Sequence, residues 1–520
     1  MNEKNIKTSI LNNVKNKYIL RQIFDNIEIS KVLNIIRYNK SIQNLLNIDI
    51  NTYKENTLIQ FEIEISIPEE KNSYAIHTMD YYDRDKGIIT EIVKIDDKEN
   101  IEEKKYSFIK IKEQFKPYFH FYFDNDEKEK KITYVKKIDH ISKIKIIIDY
   151  EVDNFDSLFS DCSIITKINI IKFPRNNIKS MRSMFQGLNI KEINLFKFNT
   201  KNVTDMKDMF NNCRNLVELD LSNFNTNNVA NMSDMFKGCW HLKKLNLSNF
   251  NTSNVTDISS MFKRCEYLKE LNLSNFNTTN VTDMNNLFCE CKSLTELNLS
   301  NFNTSNVTNM SYMFSNCESL KNINITNFNT SNVTDMSFMF FYCERLEQLN
   351  LTNFNSNKVT KMNHMFVKCA TLTELNLSSF NTENVTDMSH MFRECGKLIK
   401  LNLSNFKTNK VKNMEQMFQL CNYLEELNIE NFNTKNCTNM KKMFSECQSL
   451  KVLNLSNFNT KNDTNMEYMF FYCVCLSDLN ISNFKINKGT LISDMFSGCN
   501  SLIKNKKIKK IEGEKNCICI

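Results

Sequence analysis

Apolar and polar residues alternate in a pattern that repeats every 26 residues over 151–502. In one period Leu245 and Leu247 flank a single polar residue, and this alternation predicts a short strand. The Asn-Thr-Ser-Asn sequence at 251–254 follows, and such side chains bond their own backbone in turns. The first half of each repeat therefore predicts a strand followed by a turn.

The second half of each repeat has a different hydrophobic period. Its apolar residues follow the spacing i, i+3, i+4 and i+7, as in Ile258, Met261, Phe262 and Cys265. This spacing places them on one face of a short helix, and Thr256 or Asp257 is a suitable N-cap. Each repeat thus predicts one strand, one turn and one helix.

Thirteen such rungs can be counted from Ile168 to Leu479 by their first strand Leu or Ile. One rung is too small to bury its own apolar positions, so consecutive rungs must stack. We therefore expect an α/β repeat fold, a solenoid of about thirteen strand-turn-helix rungs. The strand spacing of ~4.8 Å gives a body roughly 60 Å long.

The repeat also carries a family resemblance. Its Leu-x-x-Leu-x-Leu-x-x-Phe core, from Leu242 to Phe250, is a leucine-rich-repeat pattern. The full unit, Asn-Val-Thr-Asp-Met-x-x-Met-Phe-x-x-Cys followed by that core, resembles the BspA-like repeats of bacterial surface proteins. The resemblance implies a leucine-rich-repeat solenoid and, for many members, adhesion or host interaction at a cell surface.

Polar residues beside the buried strand leucines form the predicted partner-binding face. We expect this face to be polar and nearly uncharged, because Asn and Ser recur there in successive rungs. The candidate residues are Asn246, Ser248, Asn272, Ser274, Asn298, Ser300, Asn324, Asn350, Asn376 and Asn402.

The N-terminal 150 residues do not follow the repeat. Residues 1–50 have helical apolar spacing and predict a helical module, within which 18–36 weakly resembles an F-box-type helix set. Residues 51–150 alternate with period two and predict a small β-rich domain that caps the solenoid. We expect its last strand, Ile144 to Ile148, to lie against the first rung.

Composition narrows the possible functions. The chain has 520 residues with only 7 Gly and 3 Pro, which excludes Gly-rich or Pro-rich linkers and a collagen-like chain. No apolar run reaches ~18 residues, and the first residues lack a signal-peptide pattern, so we expect a cytosolic protein. The 67 basic and 60 acidic residues are interspersed, which argues against nucleic acid as a partner.

Candidate chemistry is sparse. Thirteen of the 18 Cys fall at one position of the repeat, and we interpret them as buried packing residues rather than disulfides or metal ligands. His364 and His390 are equivalent residues one rung apart, interpreted as two solvated histidines on the outer face. Nucleophile elbows, phosphate loops and zinc-protease motifs are missing from the sequence. We expect no enzyme activity, no cofactor and no metal site.

The last residues, 503–520, predict a lipid anchor. Cys517 lies fourth from the final Ile520, as in C-a-a-X prenylation motifs, which some BspA-like proteins of unicellular eukaryotes also carry. A basic stretch precedes it and supplies the second signal that stable membrane binding needs. Its lysines are Lys504, Lys506, Lys507, Lys509 and Lys510.

These features lead to three hypotheses. The first is a non-catalytic interaction scaffold, tethered through Cys517 to the cytoplasmic face of a membrane, with the plasma membrane expected, and binding a protein through the solenoid face. The second is a membrane-anchored, F-box-like adaptor of a ubiquitin ligase. The third is a cell-surface adhesin exported without a signal peptide.

Overall fold

The computed structural model describes residues 17–24, 32, 35–36, 39–47, 50–67, 77–83, 87–93, 104–462, 465–487 and 489–502. The chain divides into two compact units. One consists of Met1–Val152, Ser157–Arg175 and Gly187–Lys197, and the other of Asp153–Asp156, Asn176–Gln186 and Phe198–Ile520.

The first unit begins with helices. Helix α1 spans Lys17–Phe24, α2 spans Lys40–Leu46 and α3 spans Ile50–Thr57. Asn39 caps α2, since its Oδ1 accepts the Ile42 amide at 3.1 Å, and Asn47 ends the helix in the left-handed conformation. Apolar residues at helical spacing form one buried cluster, which contains Leu20, Phe24, Val32, Ile36, Ile42 and Leu46.

The same unit also contains strands. They are β1 (Ile59–Ile65), β2 (His77–Asp83), β3 (Gly87–Val93), β4 (Lys105–Ser107), β5 (Phe119–Phe123), β6 (Tyr134–Lys136), β7 (Lys143–Ile148) and β8 (Ile165–Lys172). Short 3-10 helices span Glu113–Tyr118 and Lys137–Asp139. The pairs β2–β3 and β4–β6 are separate two-stranded antiparallel ribbons. The other four strands form an antiparallel sheet in the order β5-β7-β1-β8.

This order corrects one expectation about the cap. The strand β8 contains the first predicted rung, and its neighbour is β1, with Phe61 opposite Ile170. The strand β7, formed by 143–148, lies on the other side of β1. Strands β7 and β1 are the two interior strands of this sheet, and both alternate buried with more exposed residues, so each packs one apolar face.

The second unit is a β-solenoid of about ten turns. Its strands are three residues long and pair in parallel, with Leu245 beside Leu219 in β9–β10. They are β9 (Glu218–Asp220), β10 (Lys244–Asn246), β11 (Glu296–Asn298), β12 (Asn322–Asn324), β13 (Lys400–Asn402), β14 (Glu426–Asn428), β15 (Val452–Asn454) and β16 (Asp478–Asn480). A 3-10 helix spans Asn500–Leu502.

The Leu-x-Leu segment therefore does form strands, but the count of thirteen rungs is not confirmed. The described strands of this unit pair only in twos rather than in one continuous ladder. Single parallel bridges at another position of the repeat continue the stacking from Asn154 to Leu491.

The predicted helix in each repeat is replaced by a series of turns. Between Ile258 and Cys265 the chain turns repeatedly, and Ser260 and Arg264 adopt left-handed φ angles of 55° and 62°. A right-handed helix cannot include such residues. The apolar spacing that predicted a helix face is produced here by turns of similar length.

Hydrogen bonding explains why turns prevail. The amides of Ser260, Phe262 and Arg264 donate to carbonyls of the next repeat, those of Asn285, Leu287 and Cys289, at 2.8–3.0 Å. The amides between them bond locally, as Met261 does to Ile258 at 3.2 Å. In an isolated helix these backbone amides would bond carbonyls of the same helix. Here they bond carbonyls of the next repeat, so they keep hydrogen-bond partners inside the buried stack.

Buried side chains also stack with the period of the repeat. Phe236, Phe262, Phe288 and Phe314 lie nearly parallel, with ring centroids 5.7 Å apart, and the column continues in both directions. The buried Thr252 hydroxyl bonds both the amide and the carbonyl of Asn277 in the next repeat. Apolar contact and hydrogen bonds therefore both hold neighbouring repeats in register.

Candidate functional site

A groove of about 1270 Å³ crosses the strand side of five consecutive repeats. We call it the strand-face groove. It is lined by residues 347–352, 373–376, 400–402, 425–428 and 451–452. Its floor is fixed by the stacked repeats described above, so its side chains are presented on a preformed surface.

The predicted partner-binding asparagines lie on this side of the solenoid. All of them are exposed, as are Ser248 and Ser274, whereas Ser300 is half-buried. Each asparagine Oδ1 accepts the amide two residues further on, for example 3.0 Å from Ser378 to Asn376. Asn350, Asn376 and Asn402 line the strand-face groove. Their part in partner binding stays a prediction.

The same hydrogen bond, from the amide two residues further on to the asparagine Oδ1, forms at the other predicted partner-binding asparagines. The amides of Ser248, Ser274, Ser300, Thr326, Thr352 and Ser404 donate to Asn246, Asn272, Asn298, Asn324, Asn350 and Asn402 at 3.0–3.3 Å. The carbonyl end of each side chain is thus engaged in shaping the turn.

The expectation of a nearly uncharged face is wrong. Alternate residues of a strand point to the same side, so the residue two before each Asn shares its face. That position is charged in many repeats, and neighbouring charges pair, with Lys244 Nζ 2.7 Å from Glu218 and Lys400 Nζ 2.6 Å from Glu426. These charged residues are visible in the sequence, directly before the first strand Leu of the repeat.

Carboxylates outnumber lysines in the strand-face groove. The charged lining residues are Glu347, Glu374, Glu425, Glu426, Lys400 and Lys451. Glu426, and then Glu425, hold the pKa of Lys400 above its usual value by hydrogen bonding and charge. Within the described ranges, Glu347, Glu374 and Glu425 form no ion pair, so the groove has an acidic surplus.

The two histidines lie in a ring stack rather than free in solvent, which corrects the expectation of two solvated histidines. His364 and His390 are half-buried, and their rings stack with centroids 4.2 Å apart. The stack continues to Phe338, 4.3 Å from His364, and to Tyr312. Burial lowers the pKa of His364 to about 3 and that of His390 to about 4.

This stacking does not suit a metal ion shared by the two rings. A histidine binds a metal through a lone pair in the plane of its ring. The planes of His364 and His390 are within 17° of parallel, so their lone pairs do not converge on one point.

The repeated cysteines form a column of buried free thiols. From Cys213 onwards each thiol of the column donates to a phenylalanine carbonyl of the preceding repeat, as Cys291 does to Phe262 at 3.1 Å. The first thiol, that of Cys162, donates to the Ser160 carbonyl instead. Burial raises the pKa of Cys421 and that of Cys162 to about 12. Because the thiolate is the reactive form, these residues suit packing rather than chemistry.

This burial predicts a selective alkylation pattern. In native protein at pH 8, iodoacetamide should modify Cys475, which is exposed, before any other described cysteine. Column residues such as Cys291 and Cys421 should react only after denaturation. Peptide mass spectrometry checks this, and rapid native labelling of Cys291 would contradict the packing.

Some predicted residues lie outside the described part of the chain. They are Cys517 and the basic residues Lys504, Lys506, Lys507, Lys509 and Lys510. The lipid anchor thus stays a prediction. No helix among the described residues combines the length and apolar character needed to cross a membrane.

The stacked repeats and their short parallel strands define a leucine-rich-repeat type of solenoid protein. The chain belongs to the family described as Mycoplasma protein of unknown function, DUF285. The matches cover 153–269, 239–348, 263–373, 320–426 and 420–516. The type of repeat in this family agrees with the predicted resemblance to the repeats of bacterial surface proteins. No curated protein matches the chain.

Solved structures of leucine-rich-repeat proteins are also similar. A leucine rich cell surface protein from Faecalibacterium prausnitzii is 20% identical, covering 52% of this chain and 74% of its own, with a TM-score of 0.30. A leucine-rich-repeat protein from Leptospira interrogans is 16% identical over 67% and 82%, with a TM-score of 0.22. The functional domain of InlJ from Listeria monocytogenes, which includes a cysteine ladder, is 14% identical over 68% and 68%, with a TM-score of 0.19.

Proposed function

We propose that this protein is a non-catalytic scaffold that binds a protein partner in the strand-face groove. The observation that carries the proposal is the groove itself, an open space of about 1270 Å³ across five repeats with polar side chains along it. Binding sites are typically concave and combine a fixed shape with a few placed polar groups.

The packing beneath the groove supports this function. The Phe column and the hydrogen bonds of buried Ser and Thr hydroxyls hold each repeat to the next, so the groove residues are ordered before a partner binds. A preformed surface loses little conformational entropy on binding, which favours affinity.

A peptide selection tests the proposal. A random linear peptide library is displayed on phage and selected on the immobilised full chain. The selected peptides are then measured against Asn376→Trp, which fills the middle of the groove with a large side chain on an exposed position. We expect Asn376→Trp to abolish binding, while Asn272→Trp, the same position outside the groove, keeps it. Equal binding to both variants would exclude the groove as the site.

The membrane tether remains a proposal that rests on the sequence. In the native cell, Cys517→Ser should move the protein from the membrane fraction to the soluble fraction, because prenylation requires that thiol. Cys519→Ser should leave it bound, since the last three residues are normally removed. A soluble wild-type protein would contradict the tether. The adaptor and adhesin hypotheses stay predictions.

A further inference from the structure

We infer that the strand-face groove recognises an extended, basic peptide segment. This inference rests on the proposed function and adds the chemistry of the partner. It is carried by two independent features of the groove, its charge and its row of asparagine amides.

The charge of the groove favours lysine and arginine side chains. Its four carboxylates face two lysines, and Glu426 already pairs with Lys400. Glu347, Glu374 and Glu425 are exposed and form no ion pair with the described residues. A basic partner can therefore pair with these carboxylates without displacing a lysine of the protein. An acidic partner would bring like charges together, which is unfavourable at any interface.

The asparagine amides favour a partner in extended conformation. The Oδ1 atoms of Asn350, Asn376 and Asn402 accept backbone amides of their own turns. Their Nδ2 groups make no hydrogen bond to the described residues, so each presents a donor to the groove. Such donors can bond the main-chain carbonyl oxygens that an extended segment leaves exposed, and main-chain hydrogen bonds of this kind contribute affinity without selecting a particular sequence.

The dimensions set the length of the segment. Five repeats at ~4.8 Å per row span roughly 19 Å. A segment that runs along the groove at ~3.3 Å per residue therefore has about six residues in contact. Glu374 and Glu425 lie two rows apart, ~10 Å, and basic residues two or four positions apart on one face of an extended segment, ~7 or ~13 Å, bracket that distance.

The test uses fluorescein-labelled peptides and the full chain. The probes are eight-residue peptides of alternating Lys and Ser, with a Glu and Ser peptide and an Asn and Ser peptide for comparison. Fluorescence anisotropy measures binding at low and high NaCl. We expect the Lys peptide to bind most tightly and to weaken with salt, because exposed charges are screened.

Two matched double variants locate the site. Glu374→Gln/Glu425→Gln should weaken binding of the Lys peptide by roughly fivefold to tenfold, since each exposed pair is a modest interaction. Glu270→Gln/Glu296→Gln removes the same charge from exposed strand-face residues outside the groove. It should change the affinity by less than about twofold, because the ~8 Å Debye length screens distant charges.

The outcomes separate this inference from the proposed function. Equal effects of the two double variants, or equal binding of the Glu peptide, would overturn the basic specificity. If Asn376→Trp still abolishes binding of the selected peptides, the groove remains the binding site for another kind of peptide. If Asn376→Trp has no effect on them either, both proposals fail.

Discussion

Replacing Phe314 with Ala should lower the free energy of unfolding by about 3–5 kcal/mol. The Phe314 side chain is fully buried, and its ring stacks on Phe288 at 5.7 Å and on Phe340 at 5.5 Å. Truncation removes two ring contacts and leaves a cavity inside the column. Urea denaturation followed by circular dichroism measures the loss.

Ser311→Ala is the control for this prediction. Ser311 belongs to the same repeat but is half-buried, and among the described residues its hydroxyl bonds only Asn309, at 2.8 Å. We expect a loss of about 1 kcal/mol or less. Hydrogen exchange should show the Phe314→Ala effect concentrated in the adjacent repeats, because each repeat contacts only its neighbours. Similar losses in the two variants would mean that the inward and outward residues are wrongly assigned.

Acidification from pH 7 to pH 5 should destabilise the repeats around His364 and His390. The pKa of each is about 6.5 in the unfolded chain, and burial lowers it to about 3 and about 4 in the folded chain. Protons therefore bind the unfolded state first, so stability is complete above pH 6.5 and is lost as the pH falls towards these lower values. At pH 5 the loss is about 2 kcal/mol per histidine.

The double variant His364→Phe/His390→Phe tests this origin. The same column already contains Phe338, so two more phenyl rings continue the stack without a titrating group. We expect the variant to lose much less stability than the wild type between pH 7 and pH 5, as measured by urea denaturation at each pH. His241→Phe, at an exposed histidine, should behave like the wild type. Identical acid sensitivity in wild type and double variant would assign the effect to other groups.

The sequence predicted the repeat itself and which of its residues are buried. The 26-residue period requires equivalent side chains to stack, and the Met, Phe and Cys positions and the second strand Leu are buried as predicted. The first strand Leu is only half-buried in several repeats, as at Leu245 and Leu271. It also predicted the exposed asparagine row, because Asn favours turns beside strands. The charge of that face is also present in the sequence, at the residue directly before the first strand Leu of many repeats.

The spacing of apolar residues could not exclude the helix that was predicted in the second half of each repeat. Ile258, Met261, Phe262 and Cys265 have the spacing of a helix face, and a short helix and a run of turns bury the same positions. What decides between them is the partner of each backbone amide. The amides of Ser260 and Phe262 donate to carbonyls of the next repeat, and those carbonyls come within reach only once the repeats have stacked.

The same reason explains the histidines and the groove. The sequence established that His364 and His390 are equivalent, but their burial depends on the neighbouring Phe338 ring and on the left-handed turn that carries them. The sequence likewise supplied Glu374 and Asn376, whereas the groove exists only where five repeats stack in register. The sequence thus determined the repeating unit and its inward residues, because these follow from local polarity. Only the tertiary structure decided the turns, the ring stack and the groove, because each depends on atoms of neighbouring repeats.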